Sequence, residues 1–253
     1  MRTRYGKVLL TAVLAAVLGG CSSGSGKPVI LLDSGHDLQE AGYTAYDAEL
    51  ELPFVNYEEG AENAGLITEA AYDEALTAEL ESLLKATGQF TVVRMKDADD
   101  TMTMAQRLEK IDKENPDLVV SIHAIHTMEQ GATVPLICVE PAASDTHDAS
   151  FAAGNALQAR LRPAEREAQL VYCYYTPVRP ETWQLHVAPT DDTTDYGEET
   201  LEIMTGNSAP VVQIGLLSLH SHEDLGALAS AEGIRQTAEM IRDGLTDYFA
   251  DQK

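Results

Sequence analysis

The chain has 253 residues, with 41 acidic against 17 basic side chains and a formal net charge of −24. So large a negative excess excludes nucleic acid or an anionic lipid surface as the partner, because like charges repel. It fits a protein that must stay soluble outside the cytoplasm and decides nothing further.

The first segment is set apart from the fold. Arg2, Arg4 and Lys7 precede an apolar stretch, Val8 to Gly20. That stretch is too short for a membrane-spanning helix of roughly 20 residues and has the pattern of a secretory signal. Leu18-Gly19-Gly20-Cys21 resembles the end of a bacterial lipoprotein signal. The resemblance implies cleavage before Cys21, lipidation of that cysteine and a flexible tether through Lys27. An ordinary cleaved signal with an incidental Cys21 is the alternative. The expected layout is residues 1–20 as signal peptide, 21–27 as lipidated cysteine and tether, and 28–253 as one α/β domain. Its only membrane attachment would be the lipid.

Within that domain, short apolar runs alternate with helical patterns, which points to an α/β fold with a largely parallel sheet. The expected strands are Val29–Asp33, Phe90–Met95, Leu118–Ile122, Leu136–Val139, Leu170–Tyr174 and Val211–Leu217, about six in all. Asp37–Gly65 is acidic and reads as a long loop. Tyr72, Leu76, Leu80, Leu83 and Leu84 share one helical face, with Gly88 as the residue past its end. Met104, Leu108 and Ile111 form a second face closed by Pro116. Phe151, Leu157 and Leu161 give a third helix before Pro163. Pro177–Thr205, with Trp183, reads as irregular. A last helix carries Ile234, Ala238, Ile241, Leu245 and Phe249. Two cysteines, Cys138 and Cys173, remain in the domain, and their spacing does not say whether they pair.

Ligands of open α/β sheets sit at the carboxyl ends of the strands. The first strand runs into Ser34-Gly35-His36, the third directly into His123, and the last into Ser218 and then His220 and His222. Two histidines past two parallel strands raise the odds of a metal site. A catalytic zinc takes three protein ligands, often two histidines and a glutamate, and leaves one position for water. Glu69, just after the candidate cap Thr68, is the best third ligand, although an acidic residue in a first helical turn is also favoured by the helix dipole. Glu58, Glu59 and Glu62 are rivals.

These residues resemble the zinc-dependent N-acetylmuramoyl-L-alanine amidases that cleave peptidoglycan. ILLDSGH (30–36) looks like the family's strand ending in Asp-Pro-Gly-His, with Ser34 for the proline. GLITEAAYDEALTAELESLL (65–84) looks like its glutamate-led helix, and DLVVSIHA (117–124) matches its second histidine motif. The stretch from His36 to Glu69 is longer than the usual family spacing. The resemblance implies one three-layer domain with a mixed sheet of about six strands flanked by helices. It also implies Zn²⁺ on His36, Glu69 and His123, and a peptidoglycan or muropeptide partner.

PVVQIGLLS (210–218) occupies the place of the family's Glu-x-Gly-Phe-Leu-Ser-Asn, so the catalytic glutamate falls at Gln213; Leu216 and Leu219 stand where Phe and Asn are expected. An amide has no basic site near neutral pH and cannot shuttle a proton. Three readings follow: an amidase whose shuttle is Glu223, His220, His222 or Glu202; a degenerate amidase fold that binds cell wall without cutting it; or a solute-binding or structural lipoprotein without metal. Asp33 either orients His36 or caps a turn. Arg107 either pairs with acidic neighbours on its helix or reaches a substrate carboxylate. His126 lines the cleft mouth. Trp183, Tyr172, Tyr174 and Tyr175 offer flat faces to sugars or simply pack, and His147 and His186 carry no functional expectation.

Overall fold

The computed structural model describes residues 26–35, 53–54, 65–66, 69–98, 100–125, 133–179, 182–191, 199–206, 208–218 and 221–252. The expected signal and Cys21, and most of the 37–65 stretch, lie outside them. No helix among the described residues is long and apolar enough to cross a membrane.

The main sheet is built from β1 (Val29–Ser34), β4 (Thr91–Arg94), β5 (Leu118–Ile125), β6 (Leu136–Val139), β7 (Gln169–Arg179), β8 (Thr182–Pro189) and β10 (Val211–Ser218). Their order is β4-β1-β5-β10-β6-β7-β8, and β9 (Glu199–Thr200) also pairs with β7. The first four of these strands run parallel, β6 lies antiparallel to β10, and β8 lies antiparallel to β7. A separate two-stranded piece, β2 (Pro53–Phe54) with β3 (Gly65–Leu66), falls within the expected long loop. The fold is thus the expected single α/β domain with a mixed sheet.

Each strand sends alternate side chains to opposite faces. On one face Ile30, Leu32, Val120, Ile122, Val212 and Ile214 pack under α1 (Glu69–Thr87), α3 (His147–Arg160) and α6 (Ala231–Ala250). On the other, Leu31, Val119 and Val211 pack with Ile111 of α2 (Met104–Glu114) and with Ile203 and Met204 of α4 (Glu202–Thr205). Each helix is thereby fixed by one apolar stripe.

Local chemistry sets the ends. Thr103 and Gln106 form a reciprocal capping box at the start of α2. Gly88, with φ +66°, follows α1 in the left-handed conformation that glycine adopts without strain. α5 (His222–Leu228) begins where Ser221 accepts a hydrogen bond from the Asp224 backbone, 3.0 Å. The buried Asp224 carboxylate then accepts from the backbone of Ser218 at 2.9 Å, from both polar hydrogens of Thr133 and from Arg166. The carboxyl end of β10 is therefore tied to its surroundings by ionic hydrogen bonds.

One expectation is corrected and one open question is answered. Pro177–Thr205 is largely ordered, holding the end of β7, all of β8, β9 and α4. Cys138 and Cys173 are joined in a disulfide, Cα–Cα 5.8 Å, which cross-links the neighbouring parallel strands β6 and β7.

Candidate metal centre

Because β1, β5 and β10 are parallel, their carboxyl ends meet on one side of the sheet, and residues far apart in sequence line up there. The pairings Asp33↔Ser121, Ser121↔Gln213 and Gln213↔Cys138 form one row across four strands. One step nearer the strand ends on the same face, His123 pairs with Gly215.

Glu69, first residue of α1, reaches this rim. Its Oε1 lies 3.3 Å from His123 Nδ1 and accepts the Ala124 backbone N–H at 3.1 Å. That backbone bond fixes the carboxylate relative to the strand that carries the histidine. The backbone N–H of Gly35 donates to the Ile122 carbonyl at 2.9 Å, carrying the β1–β5 ladder one residue past β1. A Cβ on Gly35 would lie 2.2–2.5 Å from three atoms of the His123 ring. Only glycine lets the chain pass so close to that imidazole, and residue 36 follows directly.

Asp73, one turn after Glu69 on the same helix, completes the cluster. Donor atoms of Glu69, Asp73 and His123 all lie within 4.8 Å of one another. Two carboxylates and an imidazole so placed are suited to a divalent cation. Asp73 escaped the reading of the sequence, yet a signal was there: residues four apart on a helix share a face.

The structure brings Glu69 and His123 together. His36, Thr68, the rivals Glu58, Glu59 and Glu62, and His126, Leu219 and His220 lie outside the described residues. The side chains of His222, Trp183, Tyr174, Tyr175 and His186 are likewise outside the description. Gln213 is half-buried in the row beneath His123, on the face shared with Val211.

Arg107 lies in the interior, between α2 and the sheet. It is buried, 3 % exposed; its guanidinium pairs with Asp33 on β1, and its Nε donates to the Met102 carbonyl at 3.4 Å. Asp33 in turn accepts a hydrogen bond from Ser121 Oγ at 3.0 Å. Through this pair, Asp33 joins α2 to the sheet. His147 Nδ1 lies 2.8 Å from the Glu140 carbonyl, and its ring packs against Phe151 and Tyr172, so these three are packing residues. Glu202 and Glu223 are exposed. Glu202 belongs to α4, which precedes the amino end of β10, opposite the cluster.

A mixed α/β sheet with a carboxylate–imidazole cluster at its strand ends defines a candidate metalloprotein. The chain belongs to the N-acetylmuramoyl-L-alanine amidase family, whose model matches residues 30–247. Solved structures share the fold at low identity. The catalytic domain of CwlV, an amidase of Bacillus (Paenibacillus) polymyxa, aligns with TM-score 0.60 and 17% identity over 88% of this chain and 98% of its own. AmiC2 of Nostoc punctiforme aligns with TM-score 0.59 and 17% identity over 90% and 99%. Ami1 of Mycobacterium abscessus, in its apo form, gives 0.57 and 17% over 88% and 98%. A comparison with curated proteins finds no match.

Proposed function

We propose that this chain is a zinc protein of the cell envelope that engages peptidoglycan at the amide between muramic acid and L-alanine and hydrolyses it slowly. The observation that carries the reading is the meeting of Glu69 and His123, 3.3 Å apart, at the strand ends of an amidase-family fold. His36, next in the chain after the glycine packed on His123, supplies the third ligand, giving a two-histidine, one-glutamate set. The donor set fits zinc: imidazole nitrogen and carboxylate oxygen, held by a backbone bond and by a cradle that a Cβ would fill. When bound, zinc supplies Lewis-acid polarisation of the scissile carbonyl and a lowered pKa for water.

Slow turnover follows from Gln213. The residue stands where the family motif carries its glutamate, and its neutral amide accepts no proton near neutral pH. General acid–base catalysis contributes ~10²–10⁴-fold in rate. Glu202, at the far end of β10, is no substitute shuttle, whereas exposed Glu223 follows the correct end of the strand. The secretory pattern at the N-terminus supports a domain outside the cytoplasm, with Cys21 as its proposed lipid anchor. The Cys138–Cys173 disulfide supports an oxidising compartment.

Metal analysis of the purified protein should find about one zinc per chain, as a mononuclear site requires. No zinc, and none taken up on addition, would remove the metal reading and leave a solute-binding or structural lipoprotein. The zinc-loaded protein on peptidoglycan should release N-terminal L-alanine slowly, and Gln213→Glu should raise that release at least tenfold, within the range expected of acid–base catalysis. Retention on insoluble peptidoglycan with no release from either form would overturn the hydrolysis and make the protein a binder alone.

A further inference from the structure

We propose that Asp73 is a direct ligand of the same metal centre and competes with water for its fourth position. The inference rests on the zinc reading above but concerns a residue that reading does not use. Three observations carry it. Asp73 follows Glu69 by four residues on α1, so the two carboxylates lie on one stripe of the helix. Asp73 has no exposed surface, and its carboxylate comes within 4.8 Å of donor atoms on both Glu69 and His123. Two carboxylates held so near each other repel strongly in a buried setting, and a dication between them turns repulsion into attraction.

The distances permit it. Oxygen and nitrogen donors bind zinc at about 2.0–2.2 Å, so two donors on one ion lie at most about 4 Å apart. A separation bounded by 4.8 Å closes with a side-chain shift of under about 1 Å.

The consequence concerns the type of centre. Catalytic zinc sites keep a position open, whereas four protein ligands close a tetrahedral shell and make a site structural. His36, Glu69 and His123 with Asp73 make four. Against the dication, Glu69 alone leaves one positive charge, and Glu69 with Asp73 leaves none. A neutral, filled shell polarises a substrate carbonyl less. It also gives a proton shuttle less water to act on, which matches a neutral residue at position 213. The two features belong to one device: a centre that holds its metal more firmly than it uses it.

The test compares zinc and Co²⁺ binding in the purified wild-type protein, Asp73→Asn and Asp73→Cys. Asp73→Asn should weaken zinc binding at least tenfold. It should also let azide perturb the visible bands of the Co²⁺ form, which azide leaves unchanged in the wild type. In Asp73→Cys, Co²⁺ should show the intense near-ultraviolet band of a thiolate bound to the metal. This gain of signal needs only the cysteine form to fold, so the proposal stays testable if Asp73→Asn does not. Wild-type zinc binding with equal affinity in Asp73→Asn, or Co²⁺ bound by Asp73→Cys without the thiolate band, would overturn the inference and leave the zinc reading standing. A wild-type protein that takes up no metal would overturn both. In activity, the double variant Asp73→Asn/Gln213→Glu should exceed Gln213→Glu alone.

Discussion

Gly35 shows how one hydrogen in place of a methyl group can set a site. With any other residue there, His123 would have to rotate away, because the added carbon would fall well inside contact distance of the ring. Gly35→Ala is therefore expected to weaken zinc binding about tenfold, the lower end of what a displaced or poorly supported ligand costs. The melting temperature of the metal-free protein should barely move. Titration with a zinc chelator and thermal scans of the apo protein check the two halves. Arg107 gives the opposite case, a polar residue whose role is in folding. Its guanidinium and Asp33 are both nearly fully buried, so Arg107→Ala strands a carboxylate inside the protein. Breaking such a pair by removing one partner costs about 3–5 kcal/mol. Urea unfolding should show that loss.

Elements were legible to the extent that their signals were local. The strands that read as short apolar runs all formed, and Leu136–Val139 has the bounds expected of it. β8 lay inside Pro177–Thr205, the stretch that read as irregular. It lies at the edge of the sheet as one arm of an antiparallel pair with β7, so its place is set by pairing with another strand rather than by its own apolar pattern. Glu69 and His123 were legible because strand ends and helix starts are where α/β sheets bind ligands. Asp33 and Arg107 each stood out, yet their pairing spans 74 positions and no local pattern announces it. The disulfide was equally invisible, since spacing carries no connectivity. It closes a separation of 35 residues between β6 and β7, for which the loop-entropy model gives about 3–4 kcal/mol. Cys138→Ser/Cys173→Ser should lower stability by that order, while zinc affinity stays unchanged, because the cluster lies on β5 and α1.

At the scale of the molecule, burial also sets an alkaline limit. Tyr72 is fully buried, its hydroxyl has no hydrogen-bond partner among the described residues, and burial followed by the nearby charges of Asp73 and Asp224 pushes its pKa well above the ordinary 10.0. Below about pH 10 both folded and unfolded chains keep the proton, and nothing is lost. Above it the unfolded chain releases the proton and the folded one does not, so stability falls as pH rises, by up to about 1.4 kcal/mol per pH unit. Tyr172 and Tyr248 shift in the same direction through burial. Tyr72→Phe should make the decline shallower without abolishing it, measured as urea midpoints between about pH 8 and pH 11.

The strand order has a consequence for how the protein is made. β10 lies between β5 and β6, yet it starts 72 residues after the end of β6 and 86 after the end of β5. Until residues 211–218 arrive, β5 and β6 each present a bare edge, the kind of template on which chains stick to one another. A ribosome or translocation pore releasing this chain N-terminus first therefore delivers the middle of the sheet after the strands on both sides of it. A nascent fragment lacking that strand has Glu69 and His123 but no neighbour to close the row beside them. The centre is thus completed only once residues 211–218 have been made and have paired with β5.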